Sequence, residues 1–491
     1  MKCVALALLA LGSCSRAPER VNVLLITVDT LRADHLGCYG DARDTSPNLD
    51  ALARESLRFT HAESPRAKTT PAISSLLSGR YPHEHGVRDL AQPLSGAVPL
   101  LQESLHDAGY RTGAIVGNWV LGDERAGLAR GFDAWCESLP DKSGVPPDDA
   151  PQRTARSLAD GALVALGLDR PPTDASFEPR ASFVAGDTPW FLWLHFMDPH
   201  GAYEPPREHD IFRSDAPDPI PPPPERGTMQ GALHNFRVAE YNVPSDARLA
   251  GGTIDAARVR DRYDGEIHYA DAEIGRLLGR LRAAGMLEHT LVVLTADHGE
   301  SLGEHMYWFE HGVYAYEDTC RVPLLVRVPG ARAGVRDADI SLVDLAATIC
   351  ELAHVAHDSL VGISREALIE GDDAGPTPVF CEKVERAGEA GAVQIKAVRI
   401  GDWKLIERFT NKSSSEIVQV SEELYDLRAD PLEARDFSSV PPSDAPLQRL
   451  RRELAHFIAA DRDFAAIAAL LQRRHDQLDA NSLRTLHALG Y

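Results

Sequence analysis

Val23-Leu24-Leu25-Ile26-Thr27-Val28-Asp29-Thr30 is a run of β-formers that stops abruptly at a carboxylate. Its apolar residues do not alternate with polar ones, so it reads as a central parallel strand covered by helices on both faces. Residues 112–116, 191–196, 290–295 and 322–328 read as further strands, and apolar residues at helical spacing fill 267–281. Strands alternating with helices predict a doubly wound α/β domain. Ligands in such sheets gather at the carboxyl ends of the strands. Asp29, Asp297 and His298 fall at such ends.

Ser46-Pro47 is a helix start signal, an N-cap followed by proline at the first helical position, and predicts a helix over 48–56. Thr69-Thr70-Pro71 repeats the signal before 72–78. It sets Thr69 at a helix N-terminus, where unpaired N–H groups and the helix dipole favour an anion. Residues 205–226 are proline-rich, with a run from 221 to 224, and read as a long loop or lid. Residues 385–391 read as a second loop. Beyond it, 395–406 alternates enough to suggest strands of a smaller antiparallel subdomain. The tail 448–491, rich in Ala, Leu, Arg and Gln, reads as helix. The expected divisions are 1–14, 20–375, 376–447 and 448–491.

The 491 residues, 44% of them hydrophobic, suffice for one large domain and a smaller appendage. Acidic residues outnumber basic ones, 73 against 51, and no basic block is visible. Nucleic-acid binding needs a clustered cationic face, so that class is set aside. An anionic small substrate would need a bound cation and a few placed basic groups to overcome the repulsion. Lys2, the apolar run 4–11 and Leu11-Gly12-Ser13-Cys14 predict a bacterial lipoprotein signal with Cys14 as the lipidated thiol. The expected location is the periplasmic side of the cell envelope, with contact to the membrane only through that lipid. The other five cysteines (Cys38, Cys136, Cys320, Cys350, Cys381) are scattered without CxxC spacing and read as buried free thiols, with room for one disulfide.

Asn22 to Asp29 with Leu31-Arg32-Ala33-Asp34-His35-Leu36-Gly37-Cys38-Tyr39-Gly40 resembles the opening strand and loop of the sulfatase family of the alkaline phosphatase superfamily. Tyr263-Asp264-Gly265-Glu266-Ile267 resembles its "YDGEI" helix, and Asp297-His298-Gly299-Glu300-Ser301-Leu302-Gly303-Glu304-His305 its "DHGE.LGEH" strand end. Gly401-Asp402-Trp403-Lys404-Leu405 and Leu424-Tyr425-Asp426-Leu427 are similar to its C-terminal subdomain. Leu76-Leu77-Ser78-Gly79-Arg80-Tyr81-Pro82 resembles the segment that follows the family's C/S-x-P-x-R nucleophile motif. In that register Thr69 stands at the nucleophile, Pro71 on the family proline and Ile73 where an Arg belongs. Ser64-Pro65-Arg66 imitates part of the motif but lies several residues out of register.

The resemblance implies a mixed, mainly parallel sheet with a divalent metal at its edge, a small C-terminal antiparallel subdomain and a helical tail. Carried over residue by residue, Asp29, Asp297 and His298 would hold the metal, with Thr69 Oγ completing the site. Hard carboxylates and an imidazole suit Ca²⁺, Mg²⁺, Mn²⁺ or Zn²⁺. Thr30 stands where the family has a second acid, so one metal is expected, while a second held by Asp198, His200 and a later His remains an alternative. Asn118 and Val120 replace a Lys and a His that grip the sulfate. Lys68, Asn118, His305 and His311 are the substrate-binding candidates, and His200 matches a histidine that protonates the leaving oxygen.

Thr cannot become the formylglycine of sulfatases, so its adduct has to be cleared by direct attack of water. The expectation is a metal-dependent hydrolase of sulfate, phosphate or phosphonate esters, acting on an anionic ester through Thr69. Two alternatives are an envelope transferase of phosphoethanolamine or glycerol phosphate and a non-catalytic metal-binding module.

Overall fold

Six of the seven residues of strand β1 (Asn22–Val28) are buried, which is what an uninterrupted apolar run requires in the middle of a covered sheet. In the computed structural model, the described residues are 20–461 apart from 138, 140–152, 174–177, 180–181, 185, 221–236, 372–374, 385–392 and 414–415. After β1 come β2 (Leu57–Glu63), β3 (Arg111–Val116), β4 (Ala134–Cys136) and β5 (Trp190–Phe196). They are followed by β6 (Thr290–Ala296), β7 (Arg321–Arg327) and β8 (Gly334–Ser341). These eight build one sheet in the order β8-β2-β7-β6-β1-β5-β3-β4. Strand β7 runs antiparallel to both its neighbours, and the other neighbouring pairs are parallel. The sheet is therefore mixed and mainly parallel.

Helix α1 (Pro47–Ala53) starts on its proline. Its first turn is satisfied from a distance: the Asp271 carboxylate accepts the Leu49 N–H at 2.7 Å and the Asn48 N–H at 3.1 Å. Asp271 belongs to α3 (Ala256–Ala283), the long helix whose own start is capped by Asp255. Between them α2 (Thr69–Ser78) is buried along its whole length and stops at Gly79, whose left-handed backbone (φ 67°) lets its amide close on Ser75 O.

The second unit is an antiparallel sheet of β9 (Val379–Val384), β10 (Val393–Ile400), β11 (Trp403–Ser413) and β12 (Glu416–Asp426). Helix α4 (Leu447–Ala460) lays Leu450, Leu454 and Phe457, an i, i+4, i+7 stripe, onto Val398, Ile400, Leu405 and Leu424. Buried ion pairs join the two units. Arg399 meets Glu63 at 3.0 Å and Glu317 at 2.6 Å, and Lys404 meets Glu317 at 2.8 Å.

The strands expected at 112–116, 191–196, 290–295 and 322–328 are present within a residue or two of those bounds. The helical tail is helix over Leu447–Ala460, and 462–491 lie outside the described residues. So do residues 1–19 with Cys14, the proline run 221–224 and the loop 385–391. The proline-rich 205–226 is not wholly loop: Pro219–Ile220 pairs with Ile254–Asp255 as a two-stranded ribbon. Cys38 is partly exposed, and the other four thiols are buried. No described helix is long and apolar enough to cross a membrane.

Candidate active site

Strands β1 and β6 are neighbours in register, Val28 beside Ala296, so the residues that follow each strand arrive together. Asp29, Asp297 and His298 gather there with one ligand atom from each lying within 4.8 Å of the others, all three fully buried. Asp29 Oδ1 and Asp297 Oδ2 have no hydrogen-bond partner. Two buried carboxylate oxygens without a donor are costly unless a cation meets them. His298 donates Nδ1–H to Gly299 O at 2.9 Å, which turns the Nε2 lone pair toward the carboxylates, 3.4 Å from Asp297 Oδ2. Two hard carboxylates and a neutral imidazole fit a divalent cation. The charges agree. Burial and the Asp29 carboxylate together raise Asp297 well above its usual range. Burial also works against the charge on Asp29, but His200, His195 and His298 outweigh it and hold that carboxyl low.

Thr30 follows with φ 53°, an unusual backbone for a β-branched residue, and its buried hydroxyl has no partner. Its N–H donates to Asp297 Oδ1 at 3.3 Å and its carbonyl accepts from Tyr263. The strained residue is thus pinned on both sides.

Helix α2 carries Thr69 to the same point. Thr69 Oγ1 lies 3.4 Å from His298 Nε2. Lys68 at the N-cap offers no side-chain acceptor to the first-turn amides, so the helix start favours a bound anion. Ile73, in the position of the family's Arg, is wholly buried in the main core and fills space.

The oxygen of Asp29 that faces away from His298 is held twice. Asn118 donates its amide to Oδ2 at 2.6 Å, and His195 meets the same oxygen at 3.2 Å. A chain runs behind His195: Trp193 donates Nε1–H to Thr27 Oγ1 at 3.0 Å, and Thr27 Oγ1 lies 2.9 Å from His195 Nδ1. This order makes Nδ1 the acceptor and leaves Nε2–H for Asp29. Sequence reading missed His195, although a histidine inside the apolar run Trp-Phe-Leu-Trp-Leu-His-Phe was a visible signal.

His200 and His311 complete the site. The His311 ring lies 4.3 Å from the His298 ring and 5.2 Å from that of His200, centre to centre. His200 meets Gly201 O through Nδ1 at 2.9 Å, and His311 meets Glu300 Oε1 through Nδ1 at 3.2 Å. The Gly201 carbonyl can only accept, so His200 carries its hydrogen on Nδ1 and presents the Nε2 lone pair. Burial, with His298 and His200 beside it, pushes His311 well below its usual range. Burial raises the Glu300 carboxyl to about 7. Glu300 was not among the sequence candidates.

The remaining candidates sit elsewhere or do other work. Lys68 pairs with Asp89. Asn118 is on Asp29 and also accepts the Val120 N–H. His305 stacks on Tyr316 with ring centres 3.5 Å apart, on the side of the antiparallel sheet. Burial lowers it to about 4. Asp198 Oδ2 accepts the Ala155 N–H at 2.6 Å, at the start of the helix Ala155–Ala165. Arg66, the last residue of the out-of-register imitation, is buried and donates to Gly312 O at 2.9 Å.

Known proteins resemble this chain over most of its length. The family model described as Sulfatase matches residues 21–355, and one described as N-sulphoglucosamine sulphohydrolase, C-terminal, matches 303–460. A choline-sulfatase of Rhizobium meliloti is 27% identical over 458 residues, covering 86% of this chain and 83% of its own. An N-acetylglucosamine-6-O-sulfatase of Bacteroides thetaiotaomicron is 26% identical over 501 residues, covering 87% and 85%. Among solved structures, the phosphonate monoester hydrolase of Agrobacterium radiobacter shares the fold with a TM-score of 0.65. It is 22% identical, with 91% of this chain and 96% of that one covered. From residue 21 to 355 the chain belongs to the sulfatase family.

Proposed function

We propose that this protein is a metal-dependent hydrolase of sulfate, phosphate or phosphonate esters in which Thr69 is the nucleophile. The observation that carries the reading is the meeting of Thr69 Oγ1 with His298 Nε2, at the start of α2 and beside two unpartnered carboxylate oxygens. Asp29, Asp297 and His298 would hold the cation. When bound, it would lower the pKa of the hydroxyl and offset the charge of the ester.

Thr69 Oγ attacks sulfur or phosphorus, its proton passes to Nε2 of His200 and from there to the departing ester oxygen, and a Thr69 ester remains. Thr lacks the second hydroxyl through which a formylglycine hydrate expels sulfate, so water must attack that ester directly. His311, held by Glu300, presents Nε2 to take the proton of this water. His311 returns that proton to Thr69 Oγ as the ester bond breaks, so the products are the alcohol and the free oxyanion, with Thr69 restored. Because the clearing step is a direct displacement, phosphorus esters suit the site better than sulfate. Residues 1–14 are read as a lipoprotein signal that would place the enzyme in the periplasm, tethered through Cys14. Incorporation of labelled fatty acid, lost on Cys14→Ala, tests that placement.

The decisive assay is hydrolysis of aryl phosphate, phosphonate, phosphodiester and sulfate esters with Mn²⁺, Mg²⁺, Zn²⁺ or Ca²⁺, against Thr69→Ala. Thr69-dependent release from phosphorus esters is expected. Turnover that survives Thr69→Ala overturns the nucleophile, and Thr69-dependent release from sulfate alone overturns the preference for phosphorus.

A further inference from the structure

Cys320 and Cys381 place their Sγ atoms 2.9 Å apart, and both are buried. Cys320 ends the short helix Glu317–Cys320 that leads into β7 of the large sheet, whereas Cys381 lies in β9 of the small one. The gap is within about 1 Å of a disulfide bond length. The two thiols also bracket the segment that delivers Thr69. Ser64 N–H donates to Cys320 O at 2.8 Å, and Glu382 N–H, the residue after Cys381, donates to Pro65 O at 2.9 Å. The backbone from Ser64 toward Lys68 and Thr69 is clasped between them.

We propose that Cys320 and Cys381 form a disulfide that fastens the antiparallel sheet to the catalytic sheet across the base of the Thr69 segment. The bridge is independent of the reaction at Thr69. It forms by exchange with a disulfide donor, a protein dithiol oxidant or oxidised glutathione. One cysteine thiolate attacks a donor sulfur and expels the other donor thiolate. The second cysteine then attacks the mixed disulfide and releases the first donor sulfur. The protein gives up two protons and two electrons, and the donor leaves as two thiols. Once the two sheets are packed, the pair is sealed from water and from the donor, so exchange precedes their docking. The two cysteines are 61 residues apart, a long enough loop for the bond to restrict the unfolded chain substantially.

The test is full-length protein folded in a glutathione redox buffer, then unfolded in denaturant with an alkylating agent and mapped by mass spectrometry. The expected result is one cross-linked peptide pair carrying unalkylated Cys320 and Cys381, converted to two alkylated peptides when reductant is added before alkylation. Thermal unfolding adds a second readout. Oxidised protein should melt a few degrees above reduced protein, and the difference should vanish in Cys381→Ala. Complete alkylation of both cysteines without reductant overturns the proposal. So does a redox-dependent melting difference that persists in Cys381→Ala.

Discussion

Asn118 donates its side-chain amide to Asp29 Oδ2 at 2.6 Å, which leaves Asp29 to meet the cation position through Oδ1. The position reads from sequence as a substrate contact, yet its side chain serves a metal-ligand candidate. Such outer partners orient a carboxylate and tune its affinity for the ion.

Asn118→Ala should therefore weaken binding of a divalent cation by about 10- to 100-fold. Calorimetric titration of the folded variant with Mn²⁺, Mg²⁺, Zn²⁺ and Ca²⁺ gives the number. Unchanged affinity for every ion would show that the amide does not support the metal.

Thr69→Ala should keep cation binding and lose turnover by roughly 10³- to 10⁶-fold, the range found when a covalent nucleophile is removed. Thr69→Ser keeps the hydroxyl and should retain measurable hydrolysis. Steady-state rates beside metal titrations separate the two roles. Loss of both properties in Thr69→Ala would make the residue a structural support.

His85 supplies a pH dependence remote from the catalytic cluster. Its Nδ1 accepts the Val87 N–H at 3.0 Å and its Nε2 lies 2.8 Å from Ser75 Oγ, so the ring is held neutral. Burial depresses it to about 3. Between that value and about 6.5, the ordinary histidine pKa, the unfolded chain binds a proton that the folded one does not. Stability is thus complete above about pH 6.5 and falls as the pH drops toward 3, by about 1.4 kcal/mol per pH unit for one proton. Urea unfolding at stepped pH should show a slope shallower by one proton in His85→Gln. An unaltered slope would locate the proton uptake elsewhere.

Asp461, just past α4, is inserted between two buried cations, Arg88 at 2.9 Å and Lys396 at 2.7 Å. Asp461→Ala takes a carboxylate from buried Arg88 and from Lys396, which keeps Glu382, and should cost about 3–5 kcal/mol of stability, the usual penalty for breaking a buried pair from one side. Denaturant unfolding measures it. A cost below about 1 kcal/mol would mean that water reaches Arg88 and Lys396.

The fold was legible wherever a strand was long and apolar on both faces, as in residues 23–28 and 290–296. The reversed direction of β7 was not legible, because an apolar run carries no sign of its orientation. Asp29, Asp297, His298 and Thr69 could be placed from strand ends and a helix start. Loop trajectories could not: His305 takes a left-handed backbone (φ 53°) and turns to Tyr316, while His311, six residues on, returns to His298. Lys68 and Asn118 looked like substrate groups because the chain shows which residues carry charge or amide, and not that Asp89 and Asp29 stand opposite them.

The pairing of β1 with β6 has a consequence for the order of assembly. Asp29 is made some 268 residues before its neighbour Asp297, which follows a strand paired with β1, Val28 beside Ala296. A nascent chain released before that strand exists has no second carboxylate to offer. Loading of a cation by this pair would therefore wait for β6, and the ion would clamp together two strands made far apart in time.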